Sequence, residues 1–199
     1  MAAAFTRVFG RCDQVAGIPF SGRTDRAIVA DLLAAHGQPD TPANWRAFSA
    51  AYLEELPGAV RETPGAVLHG VEEILARLPR TAVGLLTGNQ RNGAEIKLGH
   101  FGLWERFAFG GFGDLHRGRD DVARDAFAAA QARFGTALDT ADVWVLGDTP
   151  LDVQCARAIG AKVLAVATGQ HSLAELRAAR PDAAFADLVE ALDFPPLNP

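Results

Sequence analysis

Cysteine is scarce in this chain: Cys12 and Cys155 are the only two, and they share no metal-ligand spacing. A disulfide framework and a thiolate metal site are thereby excluded, and both thiols are expected to be buried as small hydrophobes. Long apolar runs are missing as well, since nothing approaches the roughly 18 residues of a membrane span. Met1 to Gly10 holds one arginine and no unbroken apolar stretch, so it does not read as a secretory signal. A cytoplasmic setting is the expectation. Charge of one sign is not concentrated: 19 Lys and Arg residues are scattered under a net charge of -5, without the footprint of a nucleic-acid or anionic-membrane binder. Lysine itself is nearly absent, with only Lys97 and Lys162. An anionic ligand would have to be held by local geometry.

What is present is ordinary globular composition, 49% hydrophobic and 22% charged over 199 residues, enough for one core domain and a smaller lobe. The first third reads helical. Ile28, Val29, Leu32 and Leu33 recur at helical spacing between Thr24 and His36, with Gly37 as the stop. A second helix is predicted from Asn44 to Leu56, ended by Pro57-Gly58. After Thr63-Pro64-Gly65, where a hinge is expected, strand and helix alternate. Strands are predicted at residues 82–86, 107–112, 143–146 and 163–166, with helices at 71–78, 92–101, 121–134 and 152–159 and a last short pair ending near Leu192. That alternation predicts an α/β fold, a Rossmann-like doubly wound parallel sheet with right-handed crossovers. The tail from Phe194 to Pro199 is expected to be extended and frayed.

Ligands of such sheets sit at the carboxyl ends of the strands. After Leu86 come Thr87-Gly88-Asn89, a hydroxyl followed by a glycine that lets backbone N–H groups approach an anion. The segment reads as a phosphate cradle or as a helix cap. After Leu146 come Gly147-Asp148-Thr149-Pro150-Leu151-Asp152, which place two carboxylates one helical turn apart. The pair reads as a Mg²⁺ site or as capping and helix-dipole chemistry. A basic loop, His116-Arg117-Gly118-Arg119, lies between them, and a cation there would neutralise charge in phosphoryl transfer.

In this order, the three segments resemble the second, third and fourth motifs of the haloacid dehalogenase (HAD) superfamily, most closely its phosphoglycolate-phosphatase-like branch. The resemblance covers essentially the whole chain and implies a helical cap at residues 15–64 over an α/β core of 1–14 plus 65–199. It also implies a Mg²⁺-dependent phosphatase acting on a small phosphorylated metabolite. Thr87 would bind the transferring phosphate, with backbone contacts from Gly88 and Asn89. Asp148 would hold Mg²⁺, and Asp152 would be a second metal ligand or an outer partner. The third motif is usually a lysine, and Arg119, next to the long helix, is taken for the role ahead of Arg117. The segment Phe20 to Asp25 is similar to a cap stretch that faces the active site, which makes Arg23 a candidate for a second anionic group of the substrate. Surface exposure at a helix start is its alternative.

The family's first motif, an apolar strand ending in Asp-x-Asp, supplies the nucleophile of an aspartyl-phosphate intermediate. No Asp-x-Asp occurs in the 199 residues, and Asp13 follows no apolar strand. The missing strand is expected between those ending at Leu86 and Leu146, on roughly 20 residues upstream of Met1. Two other readings stay open: a catalytically inactive HAD-fold binding protein, and a 2-haloacid dehalogenase, in whose chemistry Asp148 and Asp152 have no evident task.

Overall fold

The computed structural model describes residues 1–13 and 15–198; Gln14 and Pro199, one in the candidate segment around Asp13 and one in the tail, lie outside the described residues. Three helices make the first part: α1 (Ala2–Phe9), α2 (Asp25–Ala35) and α3 (Pro42–Glu62). The latter two start where side-chain oxygens replace missing helical partners. Thr24 Oγ1 accepts from the Ala27 N–H at 3.0 Å and Thr41 Oγ1 from that of Asn44 at 3.1 Å, with Pro42 in the first turn. The three helices bury one apolar cluster containing Phe5, Leu32, Leu33 and Phe48. Phe48 stacks on Tyr52 at 5.8 Å and approaches Phe5 at 6.3 Å. Burial of side chains this size contributes roughly 1.5–3 kcal/mol each. α1 therefore packs with the lobe helices, although residues 1–14 were assigned to the core by resemblance.

α3 runs through Pro57, where the sequence predicts a stop. A proline there removes one helical hydrogen bond at a cost of about 3 kcal/mol. The continuing apolar face, with Leu53, Leu56 and Val60 on the cluster, offsets that loss.

Beyond α3 the chain alternates: α4 (Val71–Arg77), β1 (Gly84–Leu86), α5 (Arg91–His100), β2 (Phe109–Gly111), α6 (Arg119–Phe134), β3 (Trp144–Gly147), α7 (Pro150–Ala158), β4 (Lys162–Val166), α8 (Leu173–Ala178) and β5 (Ala183–Phe185). All strand pairs are parallel, as βαβ connections require. β4 lies at the centre of its sheet, and Val163 to Val166 are all buried. The expected single sheet is divided into two, β1-β2 and β3-β4-β5. Among the described residues β1 and β3 each have a ladder on one edge only. Their carboxyl ends border the same cleft, and Leu146 in β3 is 44% exposed. The division lies between the strands ending at Leu86 and Gly147.

α6 spans the division, packing on β1 and β2 and against α7. A Cβ at Gly111 would lie 2.7 Å from the Ala126 nitrogen, so glycine is what lets this helix lie on β2. From Phe194 to Leu197 the tail is neither extended nor frayed: Pro195–Leu197 form a short 3₁₀ turn, Leu197 is buried, and Phe194 meets Trp144 edge-on at 5.1 Å. Among the described residues no helix is long and apolar enough to cross a membrane.

Candidate active site

A cleft of about 610 Å³ opens at the carboxyl ends of β1 and β3, beneath the segment that leads into α2. Thr87, Gly88, Asn89, Arg119, Asp148, Asp152 and Arg23 all border it, whereas Asp13, His116 and Arg117 do not. Phe20 to Arg23 and Asp25 line its cap side.

At the β1 end, Thr87 Oγ1 accepts two hydrogen bonds from Asn89, one from the backbone N–H at 3.2 Å and one from Nδ2 at 2.9 Å. The Asn89 N–H expected to meet phosphate is thus directed at Thr87, which leaves Gly88 as the backbone donor of this loop. Gly88 is there for space: a Cβ would run into the Arg23 carbonyl oxygen, and its own carbonyl crowds Gly113 from the other side. The helix that follows is capped from a distance. Asp25 Oδ2 accepts from the Gln90 N–H and Asp114 Oδ2 from the Arg91 N–H, both at 2.9 Å. Thr87 is therefore not needed as a cap.

At the β3 end the two aspartates separate in role. Asp152 Oδ2 accepts from the Asp148 N–H (3.1 Å), the Thr149 N–H (3.0 Å) and the Thr149 hydroxyl (2.9 Å). Its Oδ1 takes the Arg119 guanidinium. Thr149 Oγ1 in turn accepts from the Asp152 N–H, closing a capping box around the start of α7. With these bonds made, the Asp152 carboxylate is turned to its own helix start and to Arg119. Asp148 keeps its carboxylate in the cleft. Burial, then the negative charge of Asp152, push its carboxyl above the ordinary range, while His171 and Arg119 draw it back. A Cβ on Gly169 would run into Asp148 Oδ2, so that glycine makes room for the carboxylate.

Of the two arginines weighed for the basic role, Arg119 is the one at the cleft, as the first residue of α6. Its side chain is 12% exposed, and its Nε is buried without a partner. Arg117 is 61% exposed and pairs with Asp40 on the helical side. Arg23 is neither free nor fully exposed: it pairs with Asp31 at 2.8 Å and donates to the Pro19 carbonyl at 3.1 Å. Sequence reasoning missed Asp114, Gly169 and Lys97 and gave Asp25 no role of its own, because their contacts come from remote segments. Lys97, set aside because it lies outside the basic loop, also borders the cleft.

Metal-binding side chains do not form a cage here, since among the described residues no group of three or more converges. The donor set fits an ion that takes one carboxylate and completes its shell with water and substrate oxygens, as Mg²⁺ does.

Parallel strands with the cleft at their carboxyl ends define the class as a Rossmann-like α/β fold. Residues 122–191 match the HAD-hydrolase-like family. The chain is 31% identical over 143 residues to "Probable phosphatase IndB" of Dickeya dadantii (strain 3937), an alignment covering 68% of this chain and 57% of that protein. It thus spans a little over half the length of this relative. In fold it is similar to a hydrolase from Pseudomonas syringae, at a TM-score of 0.68 and 20% identity over 97% of this chain and 89% of that one. A haloacid dehalogenase-like family hydrolase from Streptococcus pneumoniae aligns at 0.59 and 15% identity over 96% and 90%. The chain belongs to the haloacid dehalogenase-like hydrolase superfamily.

Proposed function

We propose that this chain is the body of a Mg²⁺-dependent phosphohydrolase for a small phosphorylated metabolite of the phosphoglycolate kind. The helical lobe, with α1 packed into it, serves as the lid that excludes water. One observation carries the reading: Thr87, Arg119 and Asp148 border a single cleft at the ends of two parallel strands. Thr87 offers a hydroxyl proton and Gly88 a backbone N–H to phosphoryl oxygens. Arg119, fixed by Asp152, offers buried positive charge with one donor still unpaired. Asp148 is the residue placed to hold Mg²⁺, which when bound supplies further charge neutralisation at those oxygens. The nucleophile is assigned to an Asp-x-Asp strand filling the gap between β1 and β3. There the first carboxylate would bond to phosphorus as the alcohol leaves, and the second would give and later take the proton.

The absence of Asp-x-Asp from these residues also favours a second reading, a catalytically silent HAD-fold protein that binds a phosphorylated ligand. Two measurements test the pair. Mg²⁺ is expected to raise the melting temperature of the wild-type chain and not of Asp148→Ala, because an ion that binds only the folded state stabilises it. Protein from its native source is expected to release phosphate from small phosphomonoesters. Ligand binding without phosphate release would select the silent protein, and neither would sink both readings.

A further inference from the structure

Lys97 lies on α5, and burial pushes its ammonium below the ordinary lysine range, with Asp25 drawing it partly back. It stands 6.0 Å over the Tyr52 ring. Among the described residues no carboxylate lies within ion-pair reach of it. Its hydrogen-bond partner is Asn89 Oδ1. An ammonium can only donate, so it fixes which end of the Asn89 amide faces it, and the Nδ2 end is thereby turned to Thr87 Oγ1. A hydroxyl oxygen accepts two hydrogen bonds and donates one. Both accepting positions of Thr87 are filled by Asn89, so the hydroxyl proton is left for an acceptor in the cleft.

We propose that Lys97 is a positioning residue that acts through the Asn89 amide to hold Thr87 as an obligatory donor toward a phosphoryl oxygen. The role rests on the phosphate reading of the cleft given above. Without the ammonium the amide is free to turn over and present its oxygen to Thr87. The hydroxyl would then donate to Asn89 and be lost to the ligand.

The test is a double-mutant cycle in the affinity for inorganic phosphate, measured by titration calorimetry in Mg²⁺ on the whole chain. Lys97→Met is expected to bind about tenfold more weakly, the loss of one charge-assisted hydrogen bond's worth of order. The Lys97→Met, Thr87→Ala double variant is expected to bind no more weakly than Thr87→Ala alone. Losses that multiply would show Lys97 acting on the anion independently and would overturn the role, as would wild-type affinity in Lys97→Met. Should Lys97→Met fail to fold, Asn89→Ala cuts the same route at its middle, and multiplication with Thr87→Ala overturns the role equally. Absence of phosphate binding by the wild-type chain would instead overturn the phosphate reading, and the positioning role with it.

Discussion

Thr87 follows β1 and Thr149 follows β3, and the two hydroxyls are used in opposite ways. Thr149 donates to Asp152 Oδ2 and accepts from the Asp152 N–H, so its hydrogen bonds close within one turn of chain. Thr87 accepts twice from Asn89 and keeps its proton for the cleft. The difference does not lie in the threonines. It lies in who caps the next helix: Thr149 and Asp152 do so for α7, whereas α5 is capped by Asp25 and Asp114, 65 and 23 residues away from their partners. A hydroxyl after a parallel strand becomes available to a ligand when remote carboxylates relieve it of capping.

Substitutions at each end measure that contrast. The largest effect is expected from Asp152→Ala, which removes the cap and leaves Arg119 buried without its partner, the two side chains being 8% and 12% exposed. A cost of about 3–5 kcal/mol in urea unfolding is expected; a loss below 1 kcal/mol would mean the pair is solvated. Thr149→Ala comes next, at roughly 1 kcal/mol of stability for a lost helix cap, with a smaller effect on phosphate affinity than Thr87→Ala. Thr87→Ala should show the reverse, a few tenths of a kcal/mol in stability against a loss of about tenfold or more in phosphate affinity. Equal profiles would abolish the distinction.

The smallest effect concerns the remote cap. Burial holds the Asp25 carboxyl above its ordinary value of 3.8, against the opposing pull of the Gln90 N–H and Lys97. Its contribution is therefore fullest below that value and is lost as pH rises through the higher folded-state value. Asp25→Asn keeps an acceptor for Gln90 and should flatten this part of the curve, seen as a wild-type minus variant stability difference that grows on acidification. A difference that shrinks on acidification would mean the carboxylate is favoured in the fold.

Local signals made much of this legible. The apolar runs ending at Leu86 and Leu146 announced two strand ends, and Gly147 to Asp152 announced a turn with a proline at the first position of a helix. Arg119 was found because it adjoins the long helix, though its bond to Asp152 crosses 33 residues. The sequence did not show that Asp152 would be consumed by its own turn, because a capping box and a metal ligand call for the same residue in the same place. Pro57 misled because its local cost is visible and the packing that offsets it is not. The parts played by Lys97 and Gly169 were not legible for a related reason: one acts through an amide eight residues away, and the other by having no side chain where Asp148 needs room.

Among the described residues the two sheets share no ladder, and α6, lying on β1 and β2 and against α7, works as a spacer between the strand ends. The gauge of that spacer is a single missing side chain, at Gly111 under Val122 and Ala126. A methyl group there would act as a wedge, lifting α6 and moving Arg119 and Asp152 together relative to Thr87. The width of the mouth, and so the size of group it can grip, is in this way written at a residue that does not itself line the cleft.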